Sequence, residues 1–365
     1  MVKTTPSNLP QNPEMPDFRG GNKGALSAGC FARLQIAPRM GMRKLQYASL
    51  QWLCRGFFKK VVYFFLGAPF VSTEAQMKFG IVLPNYGQDA TRLTIVDTAL
   101  AAESLGFDSV WTTDHLALPQ DDAQIYGLIY EAITTLAYLA GSTSRIRLGI
   151  SALVLPQRNP VEVAKQLATL DVLSGGRVNL ATGIGWSAGE YQNLGQNFHN
   201  RGKRMDEALK VLRTLWRGNK TVSFQGKYYA FDQVAFAPQP VQSGGPPLWV
   251  AGDSLAALKR AIYYADGWHP HMNTPEDLAE ALKPARKLIG TRPFTVCLRM
   301  RAEFTSQPDP ATTLVGSPAD MIAKLKAFRS AGAGYAILFF PGQTKGVRER
   351  GMQTFAKEVM PALLD

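Results

Sequence analysis

From Met77 onward the chain alternates short apolar runs with amphipathic stretches, eight of each, and no other feature restricts its fold so severely. The apolar runs occupy 79–83, 109–112, 146–153, 178–183, 248–251, 267–269, 295–304 and 335–340. Helical patterns follow them at about 91–105, 130–141, 160–173, 203–217, 254–264, 275–288 and 318–331, with a last one from about 347 to 364. Parallel strands cannot be joined by a tight turn and need a long crossover, which the amphipathic stretches supply. Eight such units predict closure into a parallel (β/α)8 TIM barrel, whose usual length is about 250 residues. The 289 residues from Met77 to Asp365 (365 − 76) leave room for an insertion. Tyr228-Tyr-Ala-Phe231 and Val234-Ala-Phe236, lying between a helical pattern and a Pro-rich run, predict a hairpin-like insertion at 221–240. A doubly wound open sheet is the alternative architecture.

Charge divides the chain in two. Residues 1–76 hold ten Lys/Arg against three Asp/Glu, +7 of the total +12, which leaves +5 for 77–365. The basic excess therefore sits on a stretch without a recognition motif, and nucleic acid is not an expected partner. We expect 1–76 to be an extension, either disordered or upstream of a natural start at Met77, and 77–365 to be the catalytic domain. The run at 57–71, with Lys59 and Lys60 ahead of Val61-Val-Tyr-Phe-Phe-Leu66, is shorter than the roughly 18 to 20 apolar residues of a spanning helix. It also lies too far along the chain for a secretory signal, so no stable membrane insertion is expected. Cys30, Cys54 and Cys297 form no paired framework, which fits a reducing cytoplasm.

Walker A, Gly-x-Ser-x-Gly and His-Glu-x-x-His sequences are absent, which removes three motif-driven chemistries. The second apolar run ends at Asp114 and His115, where a barrel presents its active-site loops. An imidazole can move a proton near neutral pH and an adjacent carboxylate can orient it; equally, Asp114 could cap a turn and His115 lie on the surface. Gly149, Ser151 and Ala152 in the third run leave room for a flat ring, or for close packing between strands. Gly183-Ile-Gly185 offers backbone N–H groups without obstructing side chains. Gly252-Asp253-Ser254 precedes a helix whose first amides favour a phosphate, unless Asp253 merely caps it. Arg201 and Arg204 could grip an anion or simply begin a solvated helix. His269 and His271 have a ligand-like spacing but no accompanying acid or cysteine cluster, so a pocket wall is expected there rather than a metal.

Taken together, several segments resemble the luciferase-like monooxygenase superfamily, and within it the coenzyme F420-dependent oxidoreductase branch. They are Gly80-Ile-Val-Leu-Pro-Asn85, the run from Ala102 to His115, Arg158-Asn-Pro160 through Gly175-Gly-Arg177, Gly183-Ile-Gly-Trp186, Arg201-Gly-Lys-Arg204 with Asp206-Glu207, and Ala265-Asp-Gly-Trp268. The resemblance implies a luciferase-like barrel with a deazaflavin or flavin ring over the third strand and a cis peptide at Ser151-Ala152 bracing it. It implies a catalytic His115, with the cofactor's phosphate held by the backbone of Gly183, Ile184 and Gly185 and of Gly252, Asp253 and Ser254. Sugar-phosphate dehydrogenases of this branch carry a glutamate proton donor where Trp186 stands. A more apolar small-molecule substrate is therefore expected, in a pocket of Trp111, Trp186, Trp268 and His269, with Glu190 as a candidate replacement acid and Asp114 as partner to His115. The implied activity is hydride transfer with F420. The alternatives are an FMN-dependent monooxygenase fed by a separate reductase, towards which the Asp-His rather than Glu-His pair argues less well, and a noncatalytic flavin-binding homologue. A homodimer is the expected assembly.

Overall fold

The computed structural model describes residues 76–218, 221–307, 314–341 and 345–363. The expectations for residues 1–75, including the apolar run at 57–71 and Cys30 and Cys54, lie outside the described residues. Eleven described strands follow in chain order: β1 (Lys78–Val82), β2 (Ser109–Thr112), β3 (Arg147–Val154), β4 (Val178–Gly183), β5 (Val222–Gln225), β6 (Ala230–Val234), β7 (Leu248–Ala251), β8 (Gly267–His269), β9 (Thr295–Phe304), β10 (Leu314–Gly316) and β11 (Tyr335–Phe339). Eight of them close in the order β1-β2-β3-β4-β7-β8-β9-β11 and back to β1, every pair parallel. This is the (β/α)8 barrel, and β5 and β6 form the antiparallel hairpin inserted between its fourth and fifth strands.

The described helices are α1 (Arg92–Ser104), α2 (Ala132–Ala140), α3 (Pro160–Ser174), α4 (Ala188–Asn193), α5 (Arg201–Arg217), α6 (Leu255–Tyr264), α7 (Pro275–Leu282), α8 (Arg286–Ile289), α9 (Pro318–Ala331) and α10 (Lys345–Thr354). Local chemistry sets their ends. Asn159 accepts from the Val161 N–H at 3.0 Å, Pro160 opens α3 where its missing N–H costs nothing, and Gly175 stops it at φ +69°. Two readings need correction. The pattern at 275–288 is split into α7 and α8, and the last helix passes at Phe355 into a π turn (Phe355–Val359) and then a 3-10 turn. Both α4 and β10 are too short to show a periodicity in the sequence.

Strand parity sorts the side chains into two cores. On β3 and β9, Leu148, Ile150, Leu153, Val296, Leu298 and Met300 face the helices. Inside the barrel lie Val82, Trp111, Ala181, Trp249, Cys297, Tyr335 and Ile337. Trp111 stacks on Trp249 with ring centroids 5.3 Å apart and meets Tyr335 edge-on at 6.0 Å. Its indole fills the space expected to receive a ring at Gly149. A Cβ built on Gly149 would stand 2.3 Å from Trp111 Cε3, and one on Gly80 2.4 Å from Trp111 Nε1. Both strands therefore carry glycine so that the floor can be plugged by an aromatic ring.

Candidate active site

At the opposite, C-terminal end the loops after the strands converge. Asn85, after β1, accepts from the Thr113 N–H at 2.9 Å and donates to the carbonyls of Thr113 (2.8 Å) and Tyr130 (3.0 Å), which pins the loop after β2. From that fixed point Asp114 and His115 diverge, as neighbours leaving a strand must. Asp114 accepts two bonds from Arg158, at 2.9 and 2.8 Å, and a third from the Val154 N–H at 2.9 Å. Arg158 also reaches Glu131 at 3.3 Å. The expectation that Asp114 partners His115 is thus corrected: its carboxylate is consumed in a buried, bidentate pair that ties the β2 loop to the start of α3.

His115 instead meets Glu190, delivered 75 residues later by α4. Its Nδ1 lies 3.0 Å from Glu190 Oε2, which also accepts from Gln157 Nε2 at 3.0 Å. The other carboxylate oxygen accepts from the N–H groups of Leu116 (2.7 Å) and Ala117 (3.2 Å). Burial alone would push this carboxyl up, but the bonds from His115, Gln157 and Leu116 outweigh it and hold the group at about 2. Glu190 is therefore an anion at any working pH. It orients His115, which corrects its expected role as a replacement proton donor. An ionised acceptor fixes the tautomer: Nδ1 carries the proton, and Nε2 presents a lone pair. Among the described residues Nε2 has no hydrogen-bond partner. The ring is flanked by Tyr126 at 4.8 Å and, edge-on, by the half-exposed Trp186 at 5.6 Å.

Across the mouth, β3 leaves its register with β4 between Ile150 and Leu153, and the Ser151-Ala152 peptide within this irregularity is cis. Ser151 Oγ is 2.8 Å from His269 Nε2, and His269 Nδ1 is 2.8 Å from the Cys297 carbonyl. A carbonyl can only accept, so Nδ1 donates and Nε2 accepts a hydrogen bond from the Ser151 hydroxyl. Burial pushes His269 down to about 4, so the ring is neutral. Arg299, on the inward face of β9, donates to the Ser151 carbonyl at 3.0 Å and to Tyr86 Oη at 3.3 Å. Of the other expected pocket residues, only Trp186 stands at the mouth. Trp111 is the floor plug described above. Trp268 is fully buried among the helices, where its Nε1 donates to the Gly252 carbonyl at 2.8 Å and braces that turn. His269 lies beneath Ser151 as a buried support, whereas His271 is exposed.

The two glycine turns flank the same end. Gly183, Ile184 and Gly185 are half-buried, and Tyr191 Oη donates to the Ile184 carbonyl at 2.6 Å. Arg201 lies 3.6 Å over Phe198, whose ring in turn meets Tyr191 at 5.5 Å, and Arg201 Nε is buried without a partner among the described residues. Gly252, at φ +121°, is exposed ahead of α6. Ser254 caps that helix through the Ala257 N–H at 3.2 Å, and Asp253 accepts from the His271 N–H at 2.6 Å. No group of three His, Cys, Asp or Glu side chains among the described residues could hold a metal. Gln157, Tyr86, Tyr126 and Arg299 were not singled out from the sequence. For Arg299 a signal existed, since it shares strand parity with the inward Cys297.

Residues 77–296 match the family model of luciferase-like monooxygenases, and the chain belongs to that family. An uncharacterized protein of Mycobacterium bovis, Mb0965c, is 31% identical over 230 residues, covering 58% of this chain and 78% of its own. Among solved structures, an F420-dependent secondary alcohol dehydrogenase in complex with an F420-acetone adduct superposes with a TM-score of 0.67 at 21% identity, covering 80% of this chain and 100% of its own. The oxygenating constituent of 3,6-diketocamphane monooxygenase from Pseudomonas putida, in complex with FMN, gives 0.65 at 18% identity over 78% and 98% of the two chains. At such identities the structural likeness carries the fold. The protein is a luciferase-like enzyme, and its barrel is one on which both deazaflavin and flavin enzymes are built.

Proposed function

We propose that the protein is a coenzyme F420-dependent oxidoreductase that moves a hydride between the deazaflavin and a small organic substrate, with His115 handling the accompanying proton. The observation that carries this reading is the His115–Glu190 pair, which leaves a fixed, unpartnered Nε2 at the barrel mouth. Oxidising an alcohol carbon releases a hydride and an O–H proton, and Nε2 is the acceptor for that proton; the imidazolium returns it in the opposite direction. The cofactor supplies the two-electron chemistry when bound. Ser151 and Ala152 would lie against its ring. The backbone of Gly183, Ile184 and Gly185 would hold the phosphate, aided by Arg201, whose orphaned Nε beside that turn supports the fit. Gly252, Asp253 and Ser254 are the second candidate, weakened by the Asp253 carboxylate. Exposed Leu116, Ile125, Leu128 and Trp186 rim the same end and support an organic substrate with apolar bulk.

The FMN-bound monooxygenase among the structural neighbours favours a second reading, in which reduced flavin from a separate reductase activates O2. A cytoplasmic homodimer is part of the proposal in either case; no described helix is long and apolar enough to cross a membrane. Titrating cofactor-free protein with F420 and with FMN, followed by cofactor absorbance, separates the two. The proposal expects F420 to bind at least about tenfold more tightly, a difference of about 1.4 kcal/mol. Tight FMN binding without F420 binding would replace it with the second reading.

A further inference from the structure

Arg147, Arg177 and Arg292, like Arg299, bond to neutral oxygens rather than to a carboxylate, but Arg299 is the one whose partners, Ser151 and Tyr86, lie at the mouth. Arg158, Arg213 and Arg260 each pair with a carboxylate: Asp114 at 2.8 Å, Asp266 at 2.5 Å, and Asp206. Arg299 is half-buried on the inward face of β9, and its two bonds go to neutral oxygens, the Ser151 carbonyl and Tyr86 Oη. No carboxylate lies within ion-pair distance of it among the described residues. A guanidinium keeps its charge in any protein environment and carries five N–H donors in a planar fork. Two are used here. A partly desolvated cation with three spare donors and no counter-ion is matched by an anionic ligand.

The arginine shares its surroundings with His115. The Tyr86 ring lies 5.0 Å from that of Tyr126, which lies 4.8 Å from His115. Burial pushes the Tyr126 phenol up, and the Arg299 charge works against that shift, so the cation's field reaches the tyrosine beside the imidazole. On the loop that carries Tyr126, Ile125 and Leu128 are 60% and 50% exposed, and Trp186 is 54% exposed, an apolar rim left open among the described residues. Apolar edge and half-buried cation thus belong to one opening.

We propose that Arg299, with the hydroxyls of Tyr86 and Tyr126, forms an anion subsite that selects substrates carrying a carboxylate head on an apolar body. This rests on the reading of the mouth as the reaction site and names the substrate class it accepts. The subsite positions the substrate and takes no part in the proton or hydride step.

Octanoate and octanamide, which share a tail and differ in charge, are the probes, with binding measured by calorimetry on the protein as purified and again after loading with whichever cofactor it takes. Octanoate is expected to bind about 10- to 100-fold more tightly than octanamide, the range of a charged hydrogen-bonded contact. Arg299→Met should erase that preference while leaving octanamide binding unchanged, which also reports that the variant is folded. Arg299→Lys should keep part of it. Equal binding of the two probes, no binding of either, or a preference that survives Arg299→Met would overturn the proposal. So would an Arg299→Met variant that loses cofactor affinity and keeps its preference for octanoate, since the anion would then be the cofactor's own. An octanoate preference in a protein that binds FMN and not F420 upholds the subsite and overturns only the cofactor assignment.

Discussion

The two ends of the barrel are made by the same eight strands, yet one is saturated and the other is not. At the N-terminal end Trp111, Trp249 and Tyr335 pack ring against ring. The polar atoms of Trp111 and Tyr335 run in one series, from Trp111 Nε1 to Ser109 Oγ at 2.6 Å, on to Tyr335 Oη at 2.6 Å, and then to Asp108. At the C-terminal end His115 Nε2 and the spare donors of Arg299 are held in place but left without partners among the described residues. A hollow of about 1110 Å³ opens at the N-terminal end, beside Asp108, Trp249 and Tyr335. Volume is thus a poorer guide to chemistry than fixed polar groups that lack a protein partner.

If the floor is structural and the mouth chemical, substitutions at the two ends should separate cleanly. Trp111→Ala removes the ring that Gly80 and Gly149 make room for, and should cost about 3–5 kcal/mol of stability by denaturant titration while cofactor affinity in the folded protein stays the same. Weakened cofactor binding at unchanged stability would break the comparison. Asp114→Ala tests the same division one residue from His115. Removing this buried partner leaves Arg158 only its longer contact with Glu131 and should cost about 1–3 kcal/mol, with single-turnover chemistry changed less than about tenfold. A large kinetic loss at full stability would return Asp114 to the catalytic group.

The mouth should also carry its own pH signature. Burial pushes His269 from its ordinary value of about 6.5 down to about 4 in the folded protein, so the unfolded chain binds the proton first as pH falls. Its contribution to stability is present above about 6.5 and is lost progressively down to about 4, up to about 3 kcal/mol in all. Denaturation midpoints at pH 7 and pH 4.5 should show this loss, and His269→Gln should flatten it. A slope unchanged by the substitution would place the titration elsewhere. Glu190→Gln should have a smaller effect, lowering turnover about 10- to 100-fold by loosening the His115 tautomer, with cofactor binding preserved.

How much of this was legible follows from the range over which each feature acts. The strands from Ser109, Val178, Leu248, Gly267 and Thr295 have the bounds expected of them, because apolar runs and glycine punctuation are local. The cap at Asn159 and the stop at Gly175 are local too. Trp111 and Trp268 were misplaced because a tryptophan near a strand end announces burial, whereas depth in the barrel and the face it takes depend on the closed sheet. Trp268 points outward and its neighbour His269 inward, a difference of one residue in parity. The Glu190–His115 contact spans 75 residues and rests on α4, whose 6 residues are too few to display a helical period. Arg299 was within reach, since Val296, Leu298 and Met300 mark the outward face of β9 and leave the odd positions to the interior.

The central claim is that the imidazole fixed by Glu190 manages a proton at the mouth. Its most direct test is the single-turnover rate of His115→Ala, measured with the cofactor that the titration identifies and alongside that cofactor's Kd. The account predicts a rate lower by about 10² to 10⁴, the span of a lost general acid or base, with Kd changed by less than about fivefold. An unaltered single-turnover rate, or a loss that appears wholly in cofactor binding, would make His115 a wall of the pocket and contradict the account.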